Sequence, residues 1–103
     1  MDPLREALGK YETAYRKAVV HEANYKDLES LTKTVLAEAY HNAEGKSAKE
    51  KEMKALWSGE YIAHLTALST ARVPFLKWRA EKDITLHRWE MERSFLSANK
   101  SLN

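Results

Sequence analysis

Cysteine is absent from this chain of 103 residues, and its turn-makers are few, with three glycines and two prolines. Without cysteine there is no disulfide framework, no cysteine-based zinc or iron–sulfur site and no thiol nucleophile. So few glycines and prolines argue against a sandwich, a barrel or any fold assembled from many tight turns. No apolar run approaches the length of a membrane span, and the opening MDPLREALGKYE lacks the apolar stretch of a signal peptide. The expectation is a cytoplasmic protein with no membrane partner. Neither sign of charge dominates: 17 Lys and Arg stand against 15 Asp and Glu, for a formal net charge of +2. That balance neither requires nor excludes nucleic acid.

What the chain has is helical periodicity. Asp2 is a good helix N-cap, and Pro3 follows at the first helical position, where a missing N–H costs nothing. From there a seven-residue repeat runs for some forty residues. Leu4, Tyr11, Ala18, Tyr25, Thr32 and Ala39 hold one core position; Ala7, Ala14, His21, Leu28 and Val35 hold the other. A repeat sustained that long implies a coiled-coil-like seam. The break falls at Asn42-Ala43-Glu44-Gly45-Lys46-Ser47, where Gly45 suits a left-handed C-cap. Ser47 with Glu50 three residues later reads as a capping box that starts a second helix.

That second helix carries a matching seam through Met53, Trp57, Tyr61, His64, Leu68, Ala71, Phe75, Trp78, Lys82, Leu86, Trp89, Arg93 and Leu96. Pro74 lies inside it, and because the seam keeps phase across the proline, the reading is a kink; a separate helix starting near Pro74 is the alternative. The expected fold is therefore all-α, a single domain over residues 1–103. It is a long antiparallel helical hairpin, coiled-coil-like, with a helix at about 3–43, a turn at 44–47 and a helix at about 48–98 kinked near Pro74. Beyond Pro74 a second stripe appears, made of Leu76, Ala80, Ile84, His87, Met91 and Phe95. One neighbouring helix cannot cover both lines, so this stripe is expected to be the interface of a homo-oligomer.

Candidate chemistry is sparse. Glu38 and His41 have the Glu-x-x-His spacing that shares a helical face in di-iron bundles, with Glu60 and His64, or His87 and Glu90, as conceivable partners. Glu38 lies outside the seam, however, and the expectation is no metal and no cofactor. Gly45-Lys46-Ser47 carries the last letters of a phosphate loop without its first glycine or preceding strand, and the capping role explains those residues. No serine sits in a strand–turn–helix elbow. A helical rod offers no pocket for paired acids, so the chain reads as a non-enzyme.

Cations interleave with aromatic residues after Pro74. Lys77, Arg79, Lys82, Arg88 and Arg93 are the candidate nucleic-acid contacts, since stacking faces flanked by charge serve single-strand binding. For the tryptophans themselves packing against the first helix is favoured over stacking on bases.

Together, Ala37-Glu38-Ala39-Tyr40, then Gly45-Lys46-Ser47-Ala48-Lys49-Glu50-Lys51, then a Tyr61, Leu68, Arg72 helix ending Trp89-Glu90-Met91-Glu92-Arg93-Ser94 resemble small helical bacteriophage proteins encoded among recombination genes, the recombination mediators of the UvsY type. That resemblance covers roughly residues 30–95 and carries no catalytic residue across. It implies a ring-forming helical hairpin that binds single-stranded DNA and helps load a recombinase onto strands covered by single-strand-binding protein. The competing expectation is a phage-encoded inhibitor or adaptor that docks an apolar helix face on a host or defence complex.

Overall fold

A computed structural model describes the backbone of residues 2–102 and the side chains of residues 2–100. It is all-helical, with no strand among the described residues. Four helices follow in order: α1 (Pro3–Ser30), α2 (Thr32–Asn42), α3 (Ala48–Leu56) and α4 (Gly59–Leu102). They form two compact units, one of Met1–Glu22 with Pro74–Asn103, the other of Ala23–Val73.

The helix starts are written in local chemistry. Asp2 caps α1: its Oδ1 accepts from the Leu4 amide at 3.0 Å, while its carbonyl accepts from Glu6. Ser47 caps α3 by accepting from the Glu50 amide at 3.2 Å. The returning bond differs from the usual capping box, because the Glu50 carboxylate takes the amide of Lys46, one residue before the cap, at 3.1 Å. The C-cap at the end of α2 is also not the one expected. Ala43 ends that helix in an extended conformation with φ −74° and ψ 138°, and no glycine has positive φ among the described residues. A Cβ on Gly45 would lie 3.2 Å from Cγ of Glu50, the side chain that closes the α3 cap, so that side chain would have to shift by a few tenths of an ångström.

Two interruptions break the expected pair of long helices. At Leu31 the amide bonds back only three residues, to Leu28, and the Ser30 hydroxyl donates to the Asp27 carbonyl at 2.7 Å. Side-chain competition for a backbone acceptor thus tightens one turn and separates α1 from α2. At Trp57–Ser58 the chain leaves α3. Ser58 donates to the Ala55 carbonyl from its hydroxyl at 2.8 Å, and that hydroxyl accepts from the Tyr61 amide, capping α4. At Pro74, by contrast, the helix does not stop. α4 runs unbroken through the proline, so no separate helix begins there.

In the first unit the start of α1 lies antiparallel to the end of α4, as the stacking of Tyr11 on Trp89 and the seat of Lys17 over Trp78 show. Ala7, Ala14 and Ala18 are buried along this contact. In the second unit α2 and α3 pair across the loop at 43–47, and Thr32 is hydrogen-bonded to His64 Nε2 at 2.9 Å. Its buried side chains are Ala39, Ala55 and Ala71. The seam is thus lined by alanine, with larger residues such as Leu28, Val35, Leu68 and Leu86 half-buried around it. Small residues let helix backbones approach closely, but they remove little apolar surface from water.

Candidate functional site

The residues proposed from sequence for strand binding lie on α4, in the first unit. Three of the five cations sit on rings of the same unit. Lys77 lies 5.1 Å from the Trp78 ring centroid, Lys82 lies 5.9 Å from Tyr15, and Arg93 lies 5.0 Å from Trp89. Arg79 and Arg88 are exposed. At about 100° per residue the five do not share a face: Lys77 and Arg88 fall on one edge of the helix, Arg79 on the other, and Lys82 and Arg93 on the seam between. Acids accompany each edge, Glu81 and Glu92 on the first, Asp83 and Glu90 on the second. The structure therefore places the five cations along one helix without gathering them into one basic surface.

The tryptophan rings have neighbours inside the chain. Trp89 stacks on Tyr11 with centroids 5.9 Å apart and planes inclined by 13°, and Tyr11 meets Tyr15 edge-on at 6.1 Å. Trp78 carries Lys17 at 4.4 Å. Both tryptophans are half-buried. Trp57, which the heptad count put in the seam, is instead 75% exposed at the α3–α4 break.

The second stripe has a different character. Leu76, Ala80, Ile84, His87, Met91 and Phe95 are all exposed, and on a helical wheel they lie roughly opposite the seam that packs on α1. Phe95 is 66% exposed and Met91 71%. His87 Nδ1 lies 3.8 Å from the Glu90 carboxylate at the edge of this face. Ala98 continues the stripe by one further step.

The remaining candidates disperse. Glu38 and His41 line an open groove on α2 with Lys33, Thr34, Ala37 and Asn42. His64 is engaged by Thr32, far along the chain from His41. Among the described residues no group of three or more His, Cys, Asp or Glu is placed to hold a metal ion. Glu50 has its acidity raised, its pKa lying below the ordinary carboxylate value, first through the Lys46 amide and then through the charge of Lys54. Its role is to cap α3. A groove of about 410 Å³ between α2 and α3 is lined by Leu36, Ala37, Tyr40, Ala55 and Leu56, with Lys33 and Glu52 at its rim.

Two features escaped the sequence reading. Thr85 is buried and its hydroxyl donates within α4, to the carbonyls of Glu81 at 2.7 Å and Lys82 at 3.1 Å. A threonine one step from a leucine at the seam gave no signal. The Ser58 cap did have one, the Ser58-Gly59 dipeptide. No described helix is long and apolar enough to cross a membrane. Compared with protein-family models, curated proteins and solved structures, the chain finds no match.

Proposed function

We propose that this chain is a non-enzymatic interaction protein that works by association along the apolar face of α4. The observation that carries the reading is the exposure of Leu76, Ile84, Met91 and Phe95, between 44% and 71%, on one continuous helical face. Solvent-exposed apolar residues are ordinary when scattered; aligned on one helix and edged with charge, they have the pattern of a helix-docking surface. The test is a double variant, Ile84→Glu with Met91→Glu. It should remain as helical as the parent, since Met91 is 71% exposed and Ile84, which edges a groove shared with Lys10, Thr13 and Ala14 of α1, is still 51% exposed, and it should lose association with any partner. A parent protein that forms no complex of any kind, or a double variant that associates as well as the parent, would overturn the reading.

A second reading keeps the resemblance to the UvsY-type mediators, in which a phage-encoded oligomer binds single-stranded DNA and assists recombinase loading. The exposure of Lys77, Arg79 and Arg88 supports it, as does the repetition of each cation in an oligomer, which raises the field one flexible strand would meet. Binding through phosphates would fall steeply with salt and show little sequence preference. Substituting Lys77, Arg79 and Arg88 together by Ser should then weaken it without loss of helicity. An oligomer that ignores single-stranded oligonucleotides at low salt excludes this second reading and leaves the first standing.

A further inference from the structure

We infer that the occupant of the α4 face is a second copy of this chain, docked antiparallel about a two-fold axis that passes between residues 85 and 86. This rests on the reading of that face as an association surface and adds its partner, orientation and register. The argument begins with spacing. From Leu76 to Phe95 the exposed residues follow steps of four, four, three, four and four, so the face reads the same from either end. Turned about its midpoint, it lays Leu76 against Phe95 of the partner subunit, Ala80 against the partner's Met91, and Ile84 against the partner's His87. Small meets large and large meets medium, which fills an interface evenly. The parallel arrangement would instead set alanine on alanine, phenylalanine on phenylalanine and histidine on histidine, leaving a gap in one layer and crowding in the others.

Charge on one flank agrees. Lys77, Glu81, Arg88 and Glu92 alternate in sign along that edge. In the antiparallel register Lys77 and Glu92 of the partner subunit lie about 3 Å apart along the axis, as do Glu81 and the partner's Arg88, offsets that long side chains span, each pair formed twice by symmetry. On the other edge the partner's Glu90 falls between Arg79 and Asp83, one attraction against one repulsion. Surface pairs of this kind contribute little affinity but select orientation. The area is adequate as well. Leu76, Ile84, Met91 and Phe95 retain 44%, 51%, 71% and 66% of their exposure in the single chain. Doubled, and with the alanines and flanking stems added, that comes to roughly 1,000 Å², the lower bound for a specific interface. The steps average about 3.8 residues, longer than the 3.6 of a straight helix, so the face turns by about 100° around α4 from Leu76 to Phe95. The two copies must therefore cross with a right-handed twist to stay in contact along it.

The absence of native cysteine makes the register directly testable. Two single variants of the full chain are made, Ala80→Cys and Met91→Cys, and oxidised under mild conditions alone and mixed. In the antiparallel register each residue lies about 16 Å along the axis from its own copy, beyond disulfide reach, but level with the other. The expected result is no cross-linked dimer from either variant alone and a cross-linked dimer from the mixture. Cross-linking of Ala80→Cys by itself would overturn the register while leaving association through this face intact. Light scattering on the parent protein is the companion measurement: a dimer whose mass halves in the Ile84→Glu, Met91→Glu variant supports the inference. A parent that is monomeric at tens of micromolar overturns self-association; if that monomer binds a different protein through α4, the broader reading survives, and if it binds nothing, both fall.

Discussion

Replacing Trp89 by Ala tests whether the aromatic residues of α4 are structural. Trp89 is half-buried, stacked on Tyr11 at 5.9 Å, with Arg93 at 5.0 Å from its ring. Removing a half-buried indole returns on the order of 100 Å² of apolar contact to water, about 2.5 kcal/mol at 25 cal/mol per Å². Losing the stacked pair adds about 0.5–1.5 kcal/mol. The sum, roughly 3 kcal/mol, corresponds to a fall in Tm on the order of 10–20 °C for a chain of this size. The assay is thermal and urea unfolding followed by circular dichroism at one fixed protein concentration. Tyr11→Ala and the double variant complete a cycle whose coupling energy should be about 1 kcal/mol. Trp89→Phe should restore most of the stability. A loss below about 0.5 kcal/mol, the range of an inert surface substitution, would refute the packing argument and return the indole to the list of exposed stacking platforms.

Other expectations follow from the same contacts. Ala14, only 3% exposed, sits where α1 meets α4, so Ala14→Leu should force the helices apart and cost about 1–3 kcal/mol in urea unfolding, whereas Ala80→Leu on the open face should leave monomer stability nearly unchanged. Pro74 lies inside an unbroken helix, and Pro74→Ala should raise Tm while keeping the helical content, because the interior loses its poorest helix former; a lower Tm would mean that the proline conformation is itself needed. Glu50 has a lowered folded-state pKa, caused first by the Lys46 amide and then by Lys54. Its contribution to the start of α3 is therefore present above the ordinary carboxylate pKa and is lost as pH falls through the lowered value. Amide exchange at residues 48–51 should accelerate in that acid window, and Glu50→Gln should remove the pH dependence.

Much of the fold was legible because it is written in two signals that survive in a single sequence, helix caps and seven-residue periodicity. Asp2 and Ser47 cap helices as their types require, and the first-helix seam from Leu4 to Ala39 is buried or half-buried throughout. The misses are instructive in the same terms. A heptad count carried across Ser58-Gly59 placed Trp57 in the seam, but a serine that can cap α4 outcompeted continuity of the helix. Ser30 tightened the turn at Leu31 by bonding back to Asp27, a choice between backbone and side-chain donors that periodicity does not see. Gly45 reads as a left-handed cap, but its φ is not positive; the Glu50 side chain lies close over it instead, which no local pattern encodes. For the candidate site, the line of Leu76, Ala80, Ile84, His87, Met91 and Phe95 was visible as spacing and is exposed on α4. The occupation of Trp78 by Lys17 and of Trp89 by Tyr11 was not, because it depends on which residues of α1 come level with α4.

The composition of the interior leads to the last expectation, that folding and association are linked. Among the described residues of both units the buried hydrophobic ones are alanines, and no large side chain is fully enclosed. Each buried methyl contributes only about 0.8 kcal/mol, against about 1–2 kcal/mol of backbone entropy for every residue ordered. The larger apolar groups of α4, Ile84, Met91 and Phe95, stand outside that interior and contribute only when something covers them. If the cover is a second copy, stability must rise with protein concentration by mass action. Each tenfold increase then adds about 1.4 kcal/mol per dimer. Spread over the unfolding entropy of two chains of this length, that is a rise in Tm of roughly 3 °C per tenfold. Differential scanning calorimetry across a hundredfold range of concentration should show that slope for the parent and none for the Ile84→Glu, Met91→Glu variant, whose Tm should equal the parent's low-concentration limit. A parent Tm that stays flat over the range, with reversible unfolding, would show that the alanine-lined interior suffices by itself and that the open face of α4 adds nothing to the fold.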